Sequence, residues 1–166
     1  MNIKRVFQHV FYRRAKMQQL FPAQTLDAIE QSVHIAEAQH QGQIRFAIEA
    51  ALPLPALLAN QSSRARALEV FAQLGVWDTE HNNGVLIYLL LADRKVEIVA
   101  DRGIHAKLGD ATWVSICRAM EYEFRNGNFE QGARVGVKQV ADSLTAHYPQ
   151  VGDESNELPD RPILMS

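Results

Sequence analysis

The run Val85 to Ala92, VLIYLLLA, is apolar at both parities of a strand. Such a segment has no face to give to water, so it suits a central strand covered on both sides. Asp93-Arg94 then offers a short turn. Val96, Ile98 and Ala100 begin a return strand, and Lys95 and Glu97 suit an edge position. An antiparallel hairpin is expected, with its first strand too apolar to lie at the surface.

The chain before it supplies a partner strand and cover. Gln43 to Ala50 alternates, with Ile44, Phe46 and Ile48 on one face and Arg45, Ala47 and Glu49 on the other. A helix from Pro22, with Thr25 as a cap, places Leu26, Ile29, Val33 and Ala36 on one stripe and stops at Gly42. Leu52-Pro53-Leu54-Pro55 reads as an extended loop. Ser62 or Ser63 opens a helix with Leu68, Phe71, Ala72 and Leu74 inward and Gly75 at its end. Strand, helix, strand is the order of a right-handed parallel crossover.

After the hairpin, Asp110 caps a helix with Trp113, Ile116, Cys117, Met120 and Phe124 on its inner face. A last helix runs to about His147, where Gly132 and Gly136 allow a close neighbour. The expected fold class is α/β: a three-layer α/β/α sandwich with a small mixed sheet, a parallel crossover plus an antiparallel hairpin. The expected division is a basic amphipathic segment over 1–21, the sandwich over 22–148 and an acidic, mobile tail over 149–166.

Net charge is −2, which gives no general pull toward nucleic acid, so no nucleic-acid partner is expected. No apolar run approaches the length of a membrane span, so no transmembrane segment is expected. A lone cysteine, Cys117, and an N-terminus without an apolar leader suit a cytoplasmic protein. The charges are uneven, however. Residues 1 to 16 hold Lys4, Arg5, Arg13, Arg14 and Lys16 and no acid, while Ile3, Val6, Phe7, Val10 and Phe11 recur at helical spacing. Such a helix can make peripheral contact with an anionic membrane or a partner. The more ordinary reading packs its apolar stripe on its own domain.

The chemistry-bearing side chains lie in the loops around the hairpin. Asp78, Asp101, Asp110 and the amides of Asn82 and Asn83 offer the oxygen ligands that a hard cation needs, calcium or another divalent ion. The alternative is structural: the asparagines make a turn, Asp110 caps a helix, and Asp101 and Arg102 form a surface pair. No P-loop, dinucleotide fingerprint, zinc cluster or nucleophile–base arrangement is present.

The stretch LGVWDTEHNNGVLIYLLLADRKVEIVADRGIHAKLGDA, followed by FRNGNFEQGARVGVKQVADSL, resembles the TPM domain family over about residues 22 to 148. The most specific parts are Asn83-Gly84-Val85-Leu86, Asp93-Arg94-Lys95-Val96, Gly103, Leu108, Asp110-Ala111 and Phe124-Arg125 with Gly127, Phe129 and Gly132. The resemblance implies an α/β/α sandwich of the kind found in bacterial membrane-associated proteins and in a plant thylakoid lumen protein tied to photosystem II repair. It implies calcium binding or weak acid phosphatase activity in some members, and accessory roles beside membrane proteins in others. Carried over by position, it points to Asp78, Asp93, Asp101 and Asp110, with Arg94, Arg102 and His105 lining the same loops.

Two departures bear on the cation. Asn82-Asn83-Gly84 stands where the family often has Asp-Asn-Gly, and Asp101-Arg102-Gly103-Ile104-His105 where it often has Gly-Tyr-Gly-Leu-Glu. An amide and an imidazole replace two carboxylates and one aspartate is gained, which should weaken a calcium site. The function expected is a non-catalytic accessory module working with a membrane-associated protein partner. The alternative is a weak divalent-metal-dependent phosphatase using the 78–110 loops.

Overall fold

The computed structural model describes residues 2–12, 14–152 and 155–166. Arg13 of the basic segment and Asp153 and Glu154 of the acidic tail lie outside the described residues. Strands β1 (Gln43–Glu49) and β2 (Gly84–Leu90) are buried at every position. They pair in parallel, Gln43 opposite Gly84 through Glu49 opposite Leu90. β3 (Lys95–Ala100) returns antiparallel on β2, which makes the expected hairpin with β3 at the sheet margin.

Parity sorts the two faces. Ile44, Phe46, Ile48, Val85, Ile87, Leu89, Val96 and Ile98 face one apolar core. That core is closed by α3 (Ala23–Glu37), α6 (Arg102–Arg125) and α7 (Phe129–His147). Ala47, Leu86, Tyr88, Leu90 and Val99 face a second, smaller core. There α5 (Ser63–Gln73) covers the sheet with α4 (Leu54–Leu58). This is the three-layer sandwich with a mixed sheet. α6 and α7 approach closely where Gly136 lies over Met120, since an added Cβ would fall on the thioether.

Several local expectations are corrected. Phe21 and Met17 are fully buried, and Met17 belongs to a helix not foreseen, α2 (Arg14–Leu20). The proline pair does not extend the chain. Pro53 caps α4 and Pro55 fits its first turn, where a missing N–H costs nothing. In α5 the fully buried residues are Ala67 and Val70; of those expected inward, Phe71 and Leu74 pack against the smaller core, whereas Leu68 and Ala72 are exposed. Residues 102–109 are not a loop: α6 begins at Arg102 and kinks at Gly109, whose φ is 71°.

The tail is also different from the detached segment expected. β4 (Ile163–Met165) pairs in parallel with β1 over Ala47–Glu49. The cause lies in the polar parity of β1. The Arg45 guanidinium is buried and donates to the carbonyls of Pro159 (3.0 Å) and Arg161 (2.5 Å). Gln43 Oε1 accepts from the backbone of Glu157 and Leu158 at 2.8 and 3.1 Å. Farther along the same face, buried Glu49 takes two hydrogen bonds from Arg66 at 2.9 Å and one from the Tyr88 hydroxyl at 2.5 Å. Charges on an otherwise apolar face need such partners.

Glu37 sets a pH dependence for this arrangement. Its Oε1 accepts from Ile44 N–H at 2.6 Å. Burial pushes its carboxyl up to about 8; the Ile44 N–H opposes this and neighbouring Asp160 adds to it. Between the ordinary value of 4.5 and about 8, the folded chain keeps a proton that the unfolded chain has lost, so stability falls as pH rises. Glu37→Gln removes that dependence while keeping an acceptor for Ile44. Thermal unfolding across pH 5 to 9 should show the variant gaining on the parent through this window, by on the order of 3 kcal/mol, and the gap levelling above it.

Candidate functional site

The sequence-derived candidates divide between opposite ends of the sheet. At the end where β2 begins, Asn83 is buried. Its N–H donates to Thr79 Oγ1 at 3.0 Å and its amide nitrogen to the Gln41 carbonyl. Asp101 sits one strand over, with its N–H donating to Gly84 O at 2.9 Å. It caps α6 by accepting Arg102 N–H on Oδ1 at 2.7 Å. Asn83 Oδ1 and Asp101 Oδ2 are each buried without a hydrogen-bond partner. Two orphaned oxygens on neighbouring strands are a fitting start for a hard cation, which would take its remaining ligands from backbone carbonyls and water.

The other expected ligands do not close around that pair. Asp78 is exposed and so is Asn82, which holds a left-handed turn conformation with φ 49°. Asp110 lies beyond the Gly109 kink, its side chain 84% exposed, with His105 Nε2 3.6 Å away. Arg102 is exposed in the first turn of α6. Among the described residues no three His, Cys, Asp or Glu side chains gather as a metal site. Cys117 is half-buried, and burial pushes its thiol up to about 12, which makes it a poor nucleophile.

Asp93 and Arg94 lie at the other end, in the hairpin turn. Here Asp93 holds helix α1 (Ile3–Phe11). Arg5 grips both carboxylate oxygens, with Nη2 to Oδ2 at 2.6 Å and Nε to Oδ1 at 3.0 Å. His9 Nε2 meets Oδ1 at 2.8 Å, and its Nδ1 accepts from Leu52 N–H at 2.9 Å. The Leu52 bond requires a bare Nδ1, so Nε2 carries the hydrogen offered to Asp93. Burial alone would push the Asp93 carboxyl up, but the bonds from Arg5 and His9 hold it below its usual range.

This contact turns α1 over. The helix was expected to pack its apolar stripe inward. Instead its polar side docks, and Ile3, Phe7, Val10 and Phe11 are 58–68% exposed, Phe7 stacked on Phe11. Of the stripe, only Val6 packs against the domain. Lys4 within the helix, and Arg14 and Lys16 in α2, are exposed. α4, which lies against α1, also exposes Leu54 and Leu58.

With this geometry in hand, comparison decides the family. The TPM domain matches residues 15–143. The chain belongs to the TPM domain family. The BA42 protein from the psychrophilic bacterium Bizionia argentinensis, solved by NMR, is 30% identical with a TM-score of 0.73, over 86% of this chain and 93% of that one. The N-terminal domain of a P. gingivalis protein is 21% identical with a TM-score of 0.63, over 81% and 83%, and shares the fold. No curated protein matches the chain. All of α1 precedes the region matched to the TPM domain, so the Arg5–Asp93–His9 contact joins a segment outside the match to a turn inside it.

Asp93→Asn should free α1 from this TPM domain. With the paired charge removed, docking weakens by about 3 kcal/mol. Amide hydrogen exchange should rise over residues 3–11 and stay slow in β1 and β2. In the parent the Asp93 contribution is full above the ordinary carboxylate value of 3.8 and is lost as pH falls through its lower folded value. The same α1 amides should therefore open on acidification below about 3.8.

Proposed function

We propose that this chain is a non-catalytic accessory module that works beside membrane-associated proteins on the cytoplasmic face, with α1 as its membrane contact. The observation that carries the reading is the inverted helix. An amphipathic helix held by its polar side, with four apolar side chains outward and exposed lysine and arginine in the N-terminal helices, suits the boundary of an anionic bilayer. Among the described residues no helix is long and apolar enough to cross a membrane, so the contact is peripheral. The single, half-buried cysteine agrees with a reducing compartment.

The full chain should float with phosphatidylglycerol vesicles, less so as salt rises, and weakly or not at all with phosphatidylcholine vesicles. Phe7→Glu, at an exposed position, should keep the circular dichroism of the parent and weaken vesicle binding about tenfold or more, the worth of one withdrawn aromatic side chain. Equal flotation of parent and variant, or none of the parent with anionic vesicles, would sink the lipid contact.

A second reading rests on the two orphaned oxygens. Asn83 and Asp101 would hold a divalent cation, and the metal-dependent phosphatase alternative would need that ion to engage phosphate. Calcium at about a hundred times its dissociation constant should stabilise metal-stripped protein by roughly 2.7 kcal/mol. Thermal unfolding of the parent and Asp101→Asn with calcium, magnesium, manganese and zinc checks this. A shift retained in the variant puts the ion elsewhere.

A further inference from the structure

At the carboxyl end of β2 a cleft of about 390 Å³ opens between the N-terminal helices and the sheet. This is the end where open α/β sheets receive ligands. The cleft is lined by Leu89 and Leu91, by the stacked rings of Phe124 and Phe129, 5.5 Å apart, and by Tyr12 and Leu20. The interior is apolar, but the mouth is positive. Arg94 and Arg125 are exposed at the mouth, and among the described residues neither pairs with a carboxylate. Lys16 lies over the Tyr12 ring at 5.3 Å. The acid in the lining, Glu121, is already engaged: its Oε1 accepts Val96 N–H at 3.1 Å and stands 3.9 Å from Lys95 Nζ.

We propose that this cleft binds a single-chain amphiphilic anion, its acyl chain on Leu89, Leu91 and the two phenylalanines and its carboxylate or phosphate head between Arg94 and Arg125. An apolar pocket with a few convergent charged groups at its mouth is the usual form of a small-molecule site. The charge excludes a cationic amphiphile. The volume is near the lower end for such sites, which admits one chain of medium length and leaves no room for a two-chain phospholipid. Arg94 occupies a left-handed turn position, φ 53°, that L residues adopt rarely. The cleft is separate from the exposed face of α1, and the proposal does not rest on vesicle binding.

Isothermal titration calorimetry of the full chain, with each probe below its micelle concentration, tests the assignment. Decanoate and decyl phosphate are the two head-group arms; decanol lacks the charge, decyltrimethylammonium reverses it, and acetate lacks the chain. At least one of the two anions should bind, about tenfold or more tighter than decanol, with no binding of the cation or acetate. Whichever anion binds better names the head group. Arg94→Asn keeps a residue that tolerates positive φ. It should weaken that anion about fivefold, and so should Arg125→Gln, each change being the size of one favourable exposed charge pair. Leu89 and Leu91 methyl resonances should shift on binding. Phe7→Glu should leave all of this unchanged, so a failed vesicle experiment and a failed cleft remain distinct. No heat with either anion, decanol binding as well as decanoate, or an unchanged affinity in the folded Arg94→Asn and Arg125→Gln double variant would each overturn the proposal.

Discussion

Side-by-side pairing of β1 and β2, both buried along their whole length, is the constraint from which the rest of the architecture follows. Two central strands of this kind need cover on both faces. One face is wholly apolar and takes the three long helices. The other carries Arg45 and Glu49, so its cover must bring hydrogen-bond partners as well as apolar surface. Arg66 from α5 and the carbonyls of the tail supply them.

Elements with a strong local period were legible in the sequence. β1, the β2–β3 hairpin, α3 and α7 follow from alternation, from a helical stripe or from both. What was not legible depends on distant partners. β4 is short, and it exists because Arg45 and Gln43, more than a hundred positions earlier, hold the backbone beside it. In α5 the expected stripe missed Ala67 and Val70, which are buried in the same core as Leu86 and Tyr88. α1 is the sharpest case. Its apolar period was plain, but periodicity reports that a helix has two faces, not which face meets the domain. The Arg5–Asp93 pair, 88 positions apart, decides that question.

The candidate site was legible in part. Reading polar side chains around the hairpin found Asp101 and Asn83, and the structure leaves one oxygen of each without a partner. It did not separate these from Asp78 and Asp110, which are exposed, because ordinary turn chemistry and ligand chemistry use the same residue types. The cleft had no comparable signal. Its lining comes from three separate stretches of chain, 8–20, 89–95 and 121–129, each explained locally by packing, and only the assembled fold brings Arg94 and Arg125 to one cleft.

The strand at the tail has a further meaning for the sheet. β4 is three residues long and joins β1 along a line of backbone donors and acceptors that any extended chain could use. It is in effect a tethered peptide competing for its own groove, at an effective concentration of about millimolar. While it is seated, β1 is unavailable to other chains. Without it, β1 would present an unpaired edge of the kind that accepts an added strand.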